Sequence, residues 1–345
     1  MLNPVRALSE QFVRQSPTTL LGVGMILALV DFVTLYAAAS REGVLYISEG
    51  VGLLNHYGIF ATILGNAISL YAAKKYYEGV CSIRASKAVA DNAVVDNAVV
   101  EEPLKELTIM VELRGKHRRI IYLLVILGTL FWMSNAAIHL FGNPMARWGH
   151  VFDSLAHPWS FVAGRLHNVY TWIIIMPFVV HVMICSSYQL RKTMVIASKK
   201  DVLTYDLLNP DQRGGFGFID KSLLAFNVIA ALVYIEITMH IQTFSRLNLE
   251  HIIDYVILTA LLVGINKMFF ADMYATVKRL RLESLHKLKD EVFKNNNLSF
   301  EVLKYCYERR VSTLSIANFL VQASAIAIPG IVELWPFIVK AFTRA

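Results

Sequence analysis

Leu20-Leu21-Gly22-Val23-Gly24-Met25-Ile26-Leu27-Ala28-Leu29-Val30-Asp31-Phe32-Val33-Thr34-Leu35-Tyr36-Ala37-Ala38-Ala39 holds a single charge, that of Asp31. As a helix this stretch is about 30 Å long, the thickness of a bilayer's hydrocarbon core. Ala37-Ala38-Ala39-Ser40 resembles a small-residue cleavage site, but the long leading segment and Asp31 favour an uncleaved helix over a signal peptide. Six further segments reach a similar length: Leu53 to Ala73, Ile120 to Phe141, His167 to Tyr188, Leu223 to Ile241, Ile252 to Phe270 and Ser312 to Val332.

Of 345 residues, 56% are apolar and only 17% are charged, and the mean hydropathy is +0.49. An ordinary soluble globule carries about a quarter charged residues, so the composition speaks against a cytosolic enzyme of one or two domains. Cys81, Cys185 and Cys306 are too few for a disulfide framework and match no zinc spacing, so free thiols are expected.

Counting Lys and Arg along the chain gives two before the first span, then one, nine, two, six, one and nine in successive loops, and two in the tail. Alternate loops are rich, which places the N-terminus and the second, fourth and sixth loops in the cytoplasm and, with an odd seventh span, the C-terminus outside. The chain thus reads as an all-α, polytopic protein of the cell inner membrane with about seven transmembrane helices. Its organisation is a six-helix membrane region over 1–271 with cytoplasmic loops 74–119 and 189–221, a cytoplasmic helical hairpin over 272–311, and a seventh, pore-candidate helix and tail over 312–345.

Beyond the sixth span, Met273, Val277, Leu280, Leu288 and Val292 recur at helical spacing. One apolar stripe therefore continues below the membrane. Asn295-Asn296-Asn297 marks a turn, and a second helix from Phe300 to Val311 leads back to the seventh span. Basic residues gather near that entry and near the third span: Arg114, Lys116, Arg118, Arg119, Lys278, Arg279, Arg281, Arg309 and Arg310. They read either as stop-transfer charge or as a surface for an anionic ligand, a nucleotide or oligonucleotide.

The second loop repeats Asp91-Asn92-Ala93-Val94-Val95 at Asp96 to Val100, a local duplication too short for a solenoid. The fourth contains Asn209-Pro210-Asp211-Gln212-Arg213-Gly214-Gly215-Phe216-Gly217-Phe218, whose glycines permit a tight turn or an anion-holding loop. A structural turn is the favoured reading. The run resembles a His-Pro-Asp-x-x-Gly-Gly-Leu signature of bacterial multi-pass proteins, with Asn209 in place of His and Phe216 in place of Leu.

Within the membrane Asp31 should face the bundle, because a carboxylate at the centre of a span costs about 2.5 to 3.5 kcal/mol without a partner. Glu236 and Lys267 fall closer to interfaces and can snorkel. Asn66, Asn135, Asn227, Asn266 and Asn318 offer interhelical hydrogen bonds. His167 and His181, fourteen apart, would share a helix face about 21 Å apart along it, as in a two-haem cytochrome, but no second helix bears such a pair. No cofactor or metal is expected. A haem-binding redox subunit using His139, His167 and His240 stands as an alternative function, as does a non-catalytic membrane anchor.

The seventh span carries Ser315, Asn318, Gln322, Ala325 and Pro329 at three- and four-residue intervals. This small and polar stripe is either a tight helix contact or one wall of a water-filled pore shared by symmetry-related subunits. The layout as a whole resembles that of insect odorant and gustatory receptors: seven spans, an internal N-terminus, a long cytoplasmic extension of the sixth helix and a broken entry to the seventh. That resemblance implies a tetrameric cation channel anchored by its cytoplasmic helices and lined by its last helix, although the family's Thr-Tyr and Gln-Phe signature is missing from the last span. The chain also resembles, in kind, a membrane effector of an anti-phage system of the Hailong type, which implies restraint by a nucleotidyltransferase partner. The expected function is therefore a homo-oligomeric, ligand-gated ion channel, and the second resemblance implies a role in antiviral defence through disruption of the membrane. No nucleophile elbow, HExxH or phosphate loop is present, so no enzymatic activity is expected.

Overall fold

The computed structural model describes residues 11–47, 51–82, 156–199, 203–209, 213–244, 273–293 and 300–308, and the regular elements among them are helices. In chain order they are α1 (Pro17–Arg41), α2 (Tyr57–Cys81), α3 (Pro158–Val169), α4 (Met176–Lys199), α5 (Gly217–Phe244), α6 (273–293) and α7 (Phe300–Glu308). A π-helical segment, Tyr170–Ile175, joins α3 to α4 without a break. Three stretches are long and apolar enough to cross a membrane: Pro17–Arg41, Pro158–Tyr188 and Gly217–Glu236. This is a membrane protein by that measure. The expected third, sixth and seventh spans, the duplicated pentapeptide and Asn295 to Asn297 lie outside the described residues.

α1 begins at Pro17, whose fixed φ suits a first helical position, and Ser16 caps it by accepting the Thr19 N–H at 3.1 Å. Leu20, Gly24, Ala28, Leu35 and Ala39 form its buried stripe, while Met25, Ile26, Leu29, Val30 and Val33 face outward. An outward face of this kind suits lipid. Gly24 is small by necessity, since a Cβ there would stand 2.6 Å from the Ala67 carbonyl oxygen of α2.

The second expected span differs at both ends. Leu53–Asn55 is a single 3₁₀ turn, and the helix proper starts at Tyr57 because buried His56 caps it, its Nδ1 accepting the Ile59 N–H at 3.1 Å. It then runs past Ala73 to Cys81. α2 packs on α1, α4, α5 and the π segment and is buried on most of its surface. Walled in by helices, it tolerates Asn66 and Lys74, which explains why it is less apolar than α1 and α5. Lys74 is itself buried, donating from Nζ to the Val13 carbonyl at 2.8 Å and lying over the rings of Phe12 and Tyr77.

The fourth expected span also starts earlier, at Pro158, and His167 sits inside the helix instead of at its mouth. The physical cause is a cap supplied from far away in sequence. Glu42, just beyond α1, accepts the N–H groups of Trp159 at 2.8 Å and Ser160 at 2.9 Å. Burial works to raise the Glu42 pKa, but these hydrogen bonds and the charge of His157 outweigh it and hold the carboxyl below its usual range. The π segment has a local origin as well. Pro177 has no N–H to give the carbonyl four residues back, and in the turn before it the Met176 N–H reaches Thr171, five residues back.

Outside the spanning stretches, Met273, Val277, Leu280 and Val292 are buried along α6, and Leu285 joins them. Arg281 of α6 donates from Nη2 to the Cys306 carbonyl of α7 at 3.3 Å.

Candidate functional site

Asp31 points into the bundle, and its Oδ2 lies 2.6 Å from Nδ1 of His167, with the two side chains only 10% and 6% exposed. One turn further along the same helix, Thr171 accepts from Nδ2 of Asn66 at 2.8 Å. Asn66 and Thr62 are four residues apart, on one face of α2. Thr62 in turn lies 2.8 Å from Oε1 of Glu236 on α5. Side chains from α1, α2, α3, the π segment and α5 thereby meet in one buried polar node within otherwise apolar helices.

Glu236 does not snorkel, in contrast to the expectation from its position near the end of the fifth span. It is 7% exposed, hydrogen-bonded to Thr62 and within electrostatic reach of His167. Its helix runs to Phe244, two turns beyond it, so the carboxyl is held back among its neighbours. Two buried polar atoms in the node have no hydrogen-bond partner among the described residues: the Asn66 Oδ1, an acceptor, and the Tyr170 hydroxyl, which can donate or accept. Tyr170 also feels the charge of Asp31.

The paired-histidine geometry is overturned by the π segment. It spends one residue more than an α turn would, so His167 and His181 are out of phase by roughly a further 100° and do not share a face. His167 faces Asp31, whereas His181 lies 3.6 Å from Sγ of Cys185. No cluster of three or more His, Cys, Asp or Glu suited to a metal occurs among the described residues. His139 and the side chain of His240 lie outside them.

The glycine loop is a turn held by packing. Gly214 and Gly215 have φ of 63° and 94°, and the Tyr205 ring covers Gly214 so closely that a Cβ would meet it at 2.5 Å. Tyr205 stacks on Phe216 at 6.1 Å, and Arg213 pairs with Asp220 in the first turn of α5. Tyr274 of α6 lies within electrostatic reach of this pair, and burial foremost, then the Asp220 charge, raises its pKa against the opposing pull of Arg213.

Among the anticipated ligand-binding residues, Lys278 is exposed, Arg279 lies 3.5 Å from Glu283, and Arg281 is engaged with the α7 backbone. Arg114, Lys116, Arg118, Arg119, Arg309 and Arg310 lie outside the described residues, as do Lys267 and the pore candidates Ser315, Asn318, Gln322, Ala325 and Pro329. The residues that sequence reasoning missed are His167 as a partner for Asp31, and Thr62 and Thr171. Pro158, a helix-starting residue nine positions before His167, was the signal that placed it inside a helix. Comparison with protein-family models, with curated proteins and with solved structures finds no match for this chain.

Proposed function

We propose that the protein moves ions across a membrane. The observation that carries this reading is the burial of Asp31, His167 and Glu236 together among helices long and apolar enough to span. Ionisable groups inside a membrane are costly, and ion and proton pathways are where they are used. A passive anchor gains nothing from them that leucine would not supply more cheaply.

The form we propose is a homo-oligomeric channel, a tetramer, with seven spans in the inner membrane and a cytoplasmic N-terminus. Its last helix lines the conduit through Ser315, Asn318, Gln322, Ala325 and Pro329. An anionic nucleotide or oligonucleotide bound by the basic cytoplasmic residues gates it. A defence role under the control of a nucleotidyltransferase, and the absence of catalysis, belong to the same proposal. Two observations support it. Lys278 and Arg279 stand on the exposed side of α6, and Leu282, Phe293, Phe300, Tyr305 and Tyr307 are large apolar or aromatic residues exposed on α6 and α7, a surface suited to other subunits.

Planar bilayers containing the purified full chain test this reading. A conductance is expected, lowered in Asp31→Asn and altered in selectivity in Asn318→Leu and Gln322→Leu. Bilayers no leakier than protein-free controls, with and without oligonucleotide, overturn ion movement. Currents identical in all three variants overturn the assignment of residues.

A further inference from the structure

Arg41 closes α1 as the only Lys or Arg between Arg14 and Lys74. The carboxylate beside it in sequence is committed elsewhere, since both oxygens of Glu42 accept N–H groups of α3, from Trp159 at 2.8 Å and Ser160 at 2.9 Å. Those bonds bring Trp159 to Arg41, whose guanidinium carbon lies 4.2 Å from the centre of the indole ring. An arginine in a last turn commonly bonds the terminal carbonyls of its own helix. Here the side chain is laid on a neighbouring helix instead, and among the described residues it makes no hydrogen bond or ion pair. Both residues are exposed. The ring covers one face of the guanidinium, and the N–H donors, which lie in its plane, stay open at the edge.

Ile26, Val30, Val33 and Ala37 precede Arg41 at steps of four and three residues and are exposed like it, so one helix face runs from aliphatic side chains to the cation. From Asp31 to Arg41 is ten residues, about 15 Å of helix and half the thickness of a hydrocarbon core. With Asp31 at the midplane, Arg41 therefore stands at the level of the lipid headgroups. Exposed Tyr46, Tyr57 and Trp159 gather at the same end of the helices, as aromatic residues do at a membrane boundary.

We propose that Arg41 and Trp159 form a binding site for the phosphate of a phospholipid in the leaflet at this end of the helices, with one acyl chain lying along Ile26, Val30, Val33 and Ala37. The guanidinium fork matches two phosphate oxygens. Trp159 holds the plane of that fork through cation–π attraction, and the N–H bonds to Glu42 hold Trp159 in turn. The aliphatic stripe supplies what a free anion could not use, which is why the occupant is a lipid. The site is independent of ion movement and goes beyond it.

Native mass spectrometry of the purified full chain in an uncharged glycoside detergent, titrated with phosphatidylethanolamine, counts the lipids retained. This probe has no net charge, so basic residues elsewhere on the chain attract it weakly. One molecule per chain should bind more tightly than the rest. Its affinity should fall about tenfold in Arg41→Gln, through loss of charge-assisted hydrogen bonds, and about threefold in Trp159→Leu, through loss of the ring. Arg14→Gln, exposed before the other end of α1, should bind as the wild type does. A diacylglycerol with the same chains should not be retained, and inorganic phosphate should not displace the lipid. No tightly held lipid, undiminished binding in Arg41→Gln or Trp159→Leu, an equal loss in Arg14→Gln, or equal retention of diacylglycerol overturns the proposal. Displacement by inorganic phosphate would show a site for the free anion and overturn the lipid assignment.

Discussion

Alanine at Gly24 and alanine at Gly22 make a matched test of how α1 sits on α2. Both positions lie in the interior of one helix, so each substitution gains the same intrinsic helix preference, about 1 kcal/mol. Their surroundings differ completely. A Cβ at Gly22 meets nothing within 4 Å. One at Gly24 would stand 2.6 Å from the Ala67 oxygen, 3.0 Å from its Cα and 3.2 Å from its carbonyl carbon, and backbone cannot swing aside. Restoring ordinary contact, which begins at 3.4 Å, requires α1 and α2 to part by about 0.8 Å locally, the difference between 3.4 and 2.6 Å. Forcing a methyl into a packed interface costs about 1–3 kcal/mol. Because the helix-preference gain is common to both, Gly24→Ala should be less stable than Gly22→Ala by about 1–3 kcal/mol. Thermal unfolding of both variants in the same detergent, followed by helical circular dichroism, measures that gap. Equal midpoints, or a higher midpoint for Gly24→Ala, would show that the two helices do not approach as closely as described.

Two further perturbations address the ends of the elements. Glu42→Gln should cost about 0.5–2 kcal/mol by weakening the cap on α3. The pH dependence has a definite sign: a carboxyl held low in the folded state stabilises fully above its unfolded pKa and loses that contribution as pH falls through the lower folded value. The wild type should therefore lose part of its advantage over Glu42→Gln on acidification below the ordinary glutamate range, and an advantage constant with pH in unfolding scans would refute the cap. Gly214→Ala meets both a left-handed φ of 63° and the Tyr205 ring; the backbone alone costs about 1–2 kcal/mol. Its unfolding midpoint should fall, and Tyr205→Ala should recover part of the loss in the double variant. Strict additivity of the two substitutions would refute the contact.

Much of the helical architecture was legible because its cause is local. The apolar run around Asp31 specifies a spanning helix, and the spacing of Met273, Val277, Leu280 and Val292 specifies the buried side of α6. The inward orientation of Asp31 followed from the cost of a lone carboxylate. Its partner did not, because the start of α3 depends on Glu42, more than a hundred residues away, and with that cap unseen His167 looked like an interfacial residue. Glu236 was misjudged for a related reason: distance from a helix end says whether a side chain can reach water, but only the packing of Thr62 against it says whether it does. The π segment has a sequence signal in Pro177, yet its effect on the phase of everything before it emerges only from the backbone.

The enclosure of α2 has a consequence for how the chain is made. A segment bearing a buried amide and two adjacent lysines at 74 and 75 has little affinity for hydrocarbon by itself, whereas α1 has an outward face of aliphatic side chains ready for lipid. During synthesis α1 can be committed to the bilayer alone, but α2 settles only where another polypeptide surface receives its polar atoms. Biogenesis is then cooperative: Val13 is already made when Lys74 needs it, but the Asn66 amide meets Thr171 only when the π segment emerges, 90 residues after Cys81, and a chain truncated before that point should be recognised by the cell's quality control as unfinished.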